Sequence, residues 1–203
     1  WLARVPNWTP PTGLALHTAI YDPVRDRMLV FGGARTYASA PFLNQVWALT
    51  TDPVPNWSVL SVSGGTPTGR VDATSIYDSA RDRMIVYGGS LNLPGVDDLW
   101  SLSLSGTPTW ISQYPPGTHP PIRYGHTAVL DAARDRMIVF GGETSGGLRN
   151  NEVWALDLAG ASGWTQLAPL GTPPAPRVIA TPIVDAARDR MIVFGGLPGS
   201  YPS

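Results

Sequence analysis

The sequence predicts an all-β protein built from one antiparallel unit repeated along the chain, on three observations. The motif RMxVxGG occurs four times, as RMLVFGG at 27–33, RMIVYGG at 83–89 and RMIVFGG at 136–142 and 190–196, spaced by about 54 residues. The apolar runs are short, rich in Val, Ile, Trp and Tyr, and bounded by Gly, Pro, Asp or Ser, which are strand signals; no stretch shows helical periodicity over ten residues. Twenty-two Gly and 21 Pro accompany an apolar fraction of 43%, the composition of a turn-rich folded chain rather than a linker. A period of this length is one folding unit copied. Framework is therefore read from what the copies share, and chemistry from where they differ.

Each unit carries four segments. The first follows a Pro-rich loop: LALHTAIYD (14–22), RVDATSIYD (70–78), RYGHTAVLD (123–131) and RVIATPIVD (177–185). The second is the RMxVxGG run, apolar at nearly every position, as expected of a strand whose sheet is covered on both faces. Its glycine pair lets the chain leave the strand in a conformation that a Cβ resists. The third is QVWAL (45–49), DLWSL (98–102) and EVWAL (152–156), and the fourth opens on Trp1, Trp57, Trp110 and Trp164. Four-stranded sheets stacked face to face around an axis satisfy this pattern and leave only short edges.

The GG pair closing strand two, the VWAL-type strand three, the strand-four Trp and the P-x-x-R-x-x-H approach to strand one together resemble the kelch repeat, over essentially the whole chain. That resemblance implies a kelch-type β-propeller of antiparallel four-stranded blades, with strand one innermost. The chain departs from the pattern at Leu14, which replaces the leading Arg, and at Ala73 and Ala180, which replace the His. Repeat units fall at about 14–66, 70–119 and 123–173, with a partial unit at 177–203 and an orphan outer strand at 1–4. The expected domain is a single propeller or propeller fragment over 1–203, with three complete blades and an incomplete fourth. Three arrangements would cover its open ends: a strained four-bladed closure, a homo-oligomer in which a second copy completes the ring, or membership of a longer propeller. The last two are favoured, since apolar patches above roughly 300–600 Å² are rare on soluble monomers.

The net charge of −1, with no basic stripe, argues against nucleic acid, and no apolar run reaches the ~20 residues that a membrane helix needs. The absence of cysteine excludes disulfides, thiolate metal sites and cysteine catalysis, including the copper-radical chemistry of some kelch-type enzymes. All fourteen basic residues are Arg, a coding bias of GC-rich bacterial genomes, and an extracellular or periplasmic bacterial protein is expected. The connection from strand one to strand two always reads D-x-x-R-D-R, at 22–27, 78–83, 131–136 and 185–190, and is read as a turn that the fold requires rather than a calcium loop. The methionines of RMxVxGG and the strand-three Trp47, Trp100 and Trp154 are read as core.

Chemistry is expected on the ring face that carries the divergent two-to-three and four-to-one loops. Trp8, Tyr37, Phe42 and Tyr114 are aromatic loop residues outside the framework, suited to anchoring a peptide or stacking on a sugar. Arg70, Arg123 and Arg177 lead into strand one near the channel mouth, with Tyr124, His17 and His126 beside them, and could hold an acidic peptide through bidentate contacts. The competing reading makes these arginines part of the repeat, bonding loop carbonyls. His17 and His126 occupy equivalent positions in non-adjacent blades, so a structural role outranks a shared metal. No catalytic motif is present, and nothing in the spacing of Asp72, Asp97 and Asp98 singles out a glycosidase pair. The reading is a non-enzymatic scaffold without cofactor that binds a protein, a peptide or a glycan. Its alternatives are a fragment of a carbohydrate-active propeller enzyme and a purely structural, self-assembling segment.

Overall fold

The computed structural model describes residues 11, 14–35, 41–51, 53–91, 95–160 and 163–199. Trp1, and with it the expected orphan strand, lies outside them. Two four-stranded antiparallel sheets run in sequence order: Thr18–Asp22, Arg27–Phe31, Val46–Thr50 and Asn56–Val59 form the first, and Thr127–Asp131, Arg136–Phe140, Val153–Asp157 and Trp164–Leu167 the third. The second, Thr74–Asp78, Arg83–Tyr87, Leu99–Ser103 and Thr109–Gln113, gains an unforeseen short parallel strand, Ser63–Gly64, on its outer edge. Among the described residues the fourth holds Thr181–Asp185 and Arg190–Phe194. First strands meet first strands across each boundary, so strand one is the inner strand of every blade. These are the blades of a β-propeller.

The hydrophobic pattern explains the stacking. Alternate residues of a strand point to opposite faces. In blade one Ile20, Leu29 and Phe31 meet Met84, Val86 and Leu102 of blade two. On the opposite face of blade two, Ile76, Ile85 and Tyr87 meet Met137, Val139 and Leu156 of blade three. In blades two and three the strand-four Trp leans back onto the aromatic that ends strand two of the preceding blade: Trp110 on Phe31, with ring centroids 5.1 Å apart, and Trp164 on Tyr87 at 4.7 Å. The continuous apolar run of strand two thus fills two interfaces at once. Among the described residues nothing packs on the last face. Ile183, Ile192 and Phe194 are 56%, 37% and 80% exposed, where their equivalents in blade two are 5%, 2% and 0%.

The glycine pairs do more than release the chain from strand two. Both glycines adopt positive φ in all four blades. The N–H of Gly33, Gly89 and Gly142 donates to the carbonyl of Arg70, Arg123 and Arg177 in the next blade, at 2.8, 3.3 and 3.0 Å. A Cβ on Gly32 or Gly141 would stand 2.7 Å from that same carbonyl. The pair is therefore the point where one blade's backbone touches the next.

The D-x-x-R-D-R turns form a second seam. Asp22 accepts the N–H groups of Val24 and Arg25 and the Nε of Arg27, the last at 2.9 Å. Asp26, Asp82, Asp135 and Asp189 sit at φ 45–50°, which Asp tolerates better than most side chains. The central Arg of each turn forks onto the left-handed Asp of the next: Arg25 onto Asp82 at 2.7 and 3.0 Å, Arg81 onto Asp135 at 2.6 and 2.8 Å, and Arg134 onto Asp189. These pairs are partly to largely exposed and screened by solvent, so each contributes little alone, and they act mainly to set register. In the last two blades the turn closes as a single 3-10 turn, Ala132–Arg134 and Ala186–Arg188, too short for periodicity to reveal. Strand three starts one residue later than the pattern suggests, at Val46, Leu99 and Val153.

Burial makes a graded prediction. Met137, fully buried between blades two and three, should cost about 2–5 kcal/mol when replaced by Ala. Ile183→Ala, on the open face, should stay within about 0.5 kcal/mol of the parent. Urea unfolding of the two variants tests this; equal losses would contradict the interface assignment.

Candidate functional site

The loop face is organised by three arginine clamps, two of them complete. Arg70 is 1% exposed. Its Nε donates to Thr68 O (3.1 Å), Nη1 to Gly88 O (3.0 Å), and the fork engages the Asp98 carboxylate, which also accepts the Trp100 indole N–H at 2.8 Å. Arg123, fully buried, repeats this with Pro121 O (3.0 Å), Gly141 O (3.1 Å) and Glu152 (2.5 Å), and Glu152 accepts the Trp154 indole N–H at 3.0 Å. Burial pushes both carboxyls up, but Arg70 and Trp100 at Asp98, and Arg123 and Trp154 at Glu152, outweigh it and hold each below its ordinary value. Blade one shows the rule by default. Leu14 stands where the Arg would be and Gln45 where the acid would be, and the buried Trp47 indole nitrogen is left without a hydrogen-bond partner.

The arginines are thus turned into their own blades, holding strand one to strand three, rather than gathered at the channel mouth. Arg177, half-buried, makes the two backbone bonds, to Ala175 O (3.0 Å) and Gly195 O (2.7 Å), with no carboxylate. His126 is buried with no well-formed hydrogen bond at either ring nitrogen; desolvation, helped by Arg123, outweighs the opposing pull of the Tyr87 backbone, lowers its pKa to about 3 and keeps it neutral. Its ring packs on Tyr87, centroids 5.1 Å apart, and over Gly88, where a Cβ would stand 2.8 Å from Cε1. His17 lies exposed at the equivalent position. Phe42 is half-buried, with its carbonyl against Gly69. Trp8 and Tyr37 lie outside the described residues.

Two features of the loop side were not legible in advance. At the channel mouth, Leu16, Asp72, Gly125 and Ile179 share left-handed φ values of 55–63°. They are linked by N–H donation from Asp72 to Leu16 O (3.0 Å), Gly125 to Asp72 O (3.0 Å) and Ile179 to Gly125 O (2.7 Å). Burial raises the Asp72 carboxyl to about 6. Nearby, the Tyr124 hydroxyl donates to Glu143 at 2.5 Å, and Arg149 donates to the other Glu143 oxygen at 3.1 Å. Burial, then Glu143, then the charge of Asp72 push Tyr124 up to about 12.

The second feature is a cleft of about 140 Å³ between blades two and three. Ile85, Leu99, Leu156 and Leu158 line it with Gln113 and Ser101, and Tyr114 and Pro115 stand at its edge. Tyr114 is 87% exposed. Among the described residues no group of His, Asp and Glu is placed to hold a metal ion, and no helix is long and apolar enough to cross a membrane.

A stack of four-stranded blades joined at glycine pairs, with an Arg–carboxylate–Trp clamp inside the blade, defines a kelch-class propeller. The family model for the KLHDC2/KLHL20/DRC7 Kelch-repeats domain matches residues 96–202, and the chain belongs to this kelch-repeat family. It is similar to the Dynein regulatory complex subunit 7 of Chlamydomonas reinhardtii, 35% identical over 117 residues, covering 56% of this chain and 10% of that protein. It is also similar to the Multiple epidermal growth factor-like domains protein 8 of Homo sapiens, 29% identical over 98% of this chain and 7% of that protein. The Leucine-zipper-like transcriptional regulator 1 homolog of Drosophila melanogaster is 28% identical over 86% of this chain and 17% of its own length. The chain therefore spans less than a fifth of each of these relatives.

Two outcomes follow from the site. Arg123→Ala should destabilise the protein by about 3–5 kcal/mol, because the Glu152 carboxylate and the Pro121 and Gly141 carbonyls lose their buried donor; thermal unfolding without any ligand measures it, and an unchanged midpoint would refute a framework role. Asp72 holds its proton more tightly folded, at about 6, than at its ordinary value of 3.8. Its contribution is therefore present below about pH 4 and lost as pH rises through 6. Asp72→Asn, which cannot ionise and tolerates the same backbone, should gain on the parent between pH 4 and 7, by on the order of 1–2 kcal/mol given partial exposure. Denaturant unfolding across that range checks the sign.

Proposed function

We propose that this kelch segment is a non-catalytic scaffold that binds a protein partner, and that an extended segment of that partner docks at the cleft between blades two and three. One observation carries the reading. The framework consumes most of its own charged groups, while Tyr114 stands 87% exposed, with no framework partner, at the edge of a cleft whose lining mixes aliphatic side chains with Arg83, Asp157, Ser101 and Gln113. An exposed Tyr offers a large, rigid contact at low entropic cost, and the cleft beside it fits an aliphatic anchor, with Gln113 and Ser101 as hydrogen-bonding groups. The relatives supply context rather than a partner: one is named as a subunit of a regulatory complex. A glycan stacked on the Tyr114 ring is the second ligand class. An exported bacterial setting, expected from composition, belongs to the same proposal, and cell fractionation decides it.

A displayed peptide library and a glycan array, each screened against the whole chain, test this. Binders from the peptide library should lose at least tenfold in affinity with Tyr114→Ala, about 1.4 kcal/mol, at an unchanged melting temperature. Peptides indifferent to Tyr114 would overturn the cleft reading, and array hits without peptide hits would move it to the glycan.

A further inference from the structure

The boundary between blades two and three differs from its neighbours by one ring. His17, Ala73, His126 and Ala180 occupy the same station in their blades, just before strand one. The station is placed alike in all four: a Cβ on Gly33, Gly89, Gly142 or Gly196 would meet the Cβ of that residue at 3.0, 3.0, 2.9 and 3.1 Å. Beyond the Cβ the blades diverge. His17 is exposed, and Ala73 and Ala180 carry nothing further. His126 sends its ring back into blade two, over Gly88 and against Tyr87. Tyr87 meets Trp164 on its other side, so it is held between two rings of blade three.

The place that the ring enters suits a neutral group. His126 is 6% exposed, and the fully buried Tyr87 hydroxyl beside it also lacks a partner among the described residues. On the approach to its own strand stands Arg123, a fixed cation. From blade two, Tyr87 is neutral, since burial holds its proton well above the ordinary value. Asp98 is engaged by Arg70 and Trp100, and Asp97 lies against His119. In blade three, Glu143 accepts from Tyr124 and Arg149, Glu152 from Arg123 and Trp154, and the strand Trp164–Leu167 carries no charge. Asp72, across the boundary, acts on Tyr124 rather than on the ring. A protonated His126 would thus be a second cation beside Arg123, with the Tyr87 backbone as the group that favours it. A buried charge without a counter-ion is costly, and parting the two surfaces to admit water relieves that cost.

We propose that the boundary between blades two and three is an acid-operated joint, at which a proton on His126 parts the two blades while the Ala73 boundary between blades one and two stays closed. The sign follows from the burial. Parted, the imidazole takes a proton at its ordinary value of 6.5; closed, it resists one down to about 3. The joint therefore has its full stability above pH 6.5 and loses it as pH falls from there. The cleft at Tyr114 lies between the same two blades, yet the joint is a property of the unliganded chain and does not rest on what the cleft binds.

Amide hydrogen exchange followed by NMR reads each boundary separately. Gly89 and Gly125 donate across the boundary of blades two and three, to Arg123 O and Asp72 O; Gly33 and Asp72 donate across that of blades one and two, to Arg70 O and Leu16 O. The whole chain is compared with His126→Phe, which keeps a ring on Tyr87 and gives up no well-formed hydrogen bond. At Gly89 and Gly125 the opening constant of the parent, divided by that of the variant at the same pH, should rise about 30-fold from pH 7.5 to 5.0, the proton factor of a group that titrates at 6.5 when open. At Gly33 and Asp72 the ratio should stay level. The Asp72 carboxyl titrates in the opposite sense beside the same boundary, but it is common to both chains and cancels. His126→Ala, the residue at this station in blades two and four, repeats the comparison with a second side chain. The parent alone gives a further reading: the Cε1 proton resonance of His126 in the folded chain should show no titration between pH 7.5 and 5.0. A ratio independent of pH would overturn the proposal, as would a rise shared by all four amides, or a ring that titrates near 6.5 in the folded chain.

Discussion

Everything in this structure depends on how closely one blade's backbone can approach the next. The approach is made at the glycine pair that ends each second strand. There an N–H reaches the carbonyl of the arginine leading into the following blade, at a spacing that leaves no room for a Cβ. The left-handed φ of both glycines is needed to present that N–H. Once this contact is fixed, the alternation of strand two puts its remaining side chains on two faces, and each face meets a complementary one. The Arg–Asp seam across the turns adds register at the other end of the strands. The repeat is therefore conserved between its copies at the positions where blades touch, and varied where they do not.

The frame was legible in the sequence because its causes are local and repeated. RMxVxGG, the strand-three VWAL run and the strand-four Trp each act within a strand or at its end, and four copies in register fix their meaning. The role of Arg70 and Arg123 was not legible to the same degree. Their partners, Asp98 and Glu152, lie 28 and 29 residues away along the chain, and nothing in the local sequence links either acid to its arginine. One signal was available. Blade one lacks the Arg and the acid together, as Leu14 and Gln45, the covariation expected of groups that need each other. Of the two readings of these arginines, the one that makes them part of the repeat and bonds them to loop carbonyls matches the contacts of Arg70 and Arg123; what it lacked was the carboxylate that each buried guanidinium also engages inside its own blade.

The short elements escaped for a different reason. Single 3-10 turns such as Ala132–Arg134, and two-residue strands such as Ser63–Gly64, carry no periodicity. The cleft at Tyr114 is a property of the gap between two sheets. The exposure of that tyrosine was legible only in the negative sense that no framework position claimed it. The same separation appears in the energetics: the buried clamps are costly to break, while the half-exposed turn pairs are individually weak and matter through repetition.

The linked residues Leu16, Asp72, Gly125 and Ile179 have a consequence for how such a molecule diversifies. The backbone at this collar is linked by main-chain bonds from one blade to the next, so the link itself does not depend on which side chain each blade supplies. A leucine, an acid, a bare glycine and an isoleucine already occupy the four stations. Only the glycine sits there without strain, since a left-handed residue with a Cβ costs roughly 1–3 kcal/mol. The collar thus works as a row of interchangeable stations: its charge and bulk can be reset one blade at a time while the main-chain bonds that link the blades stay as they are.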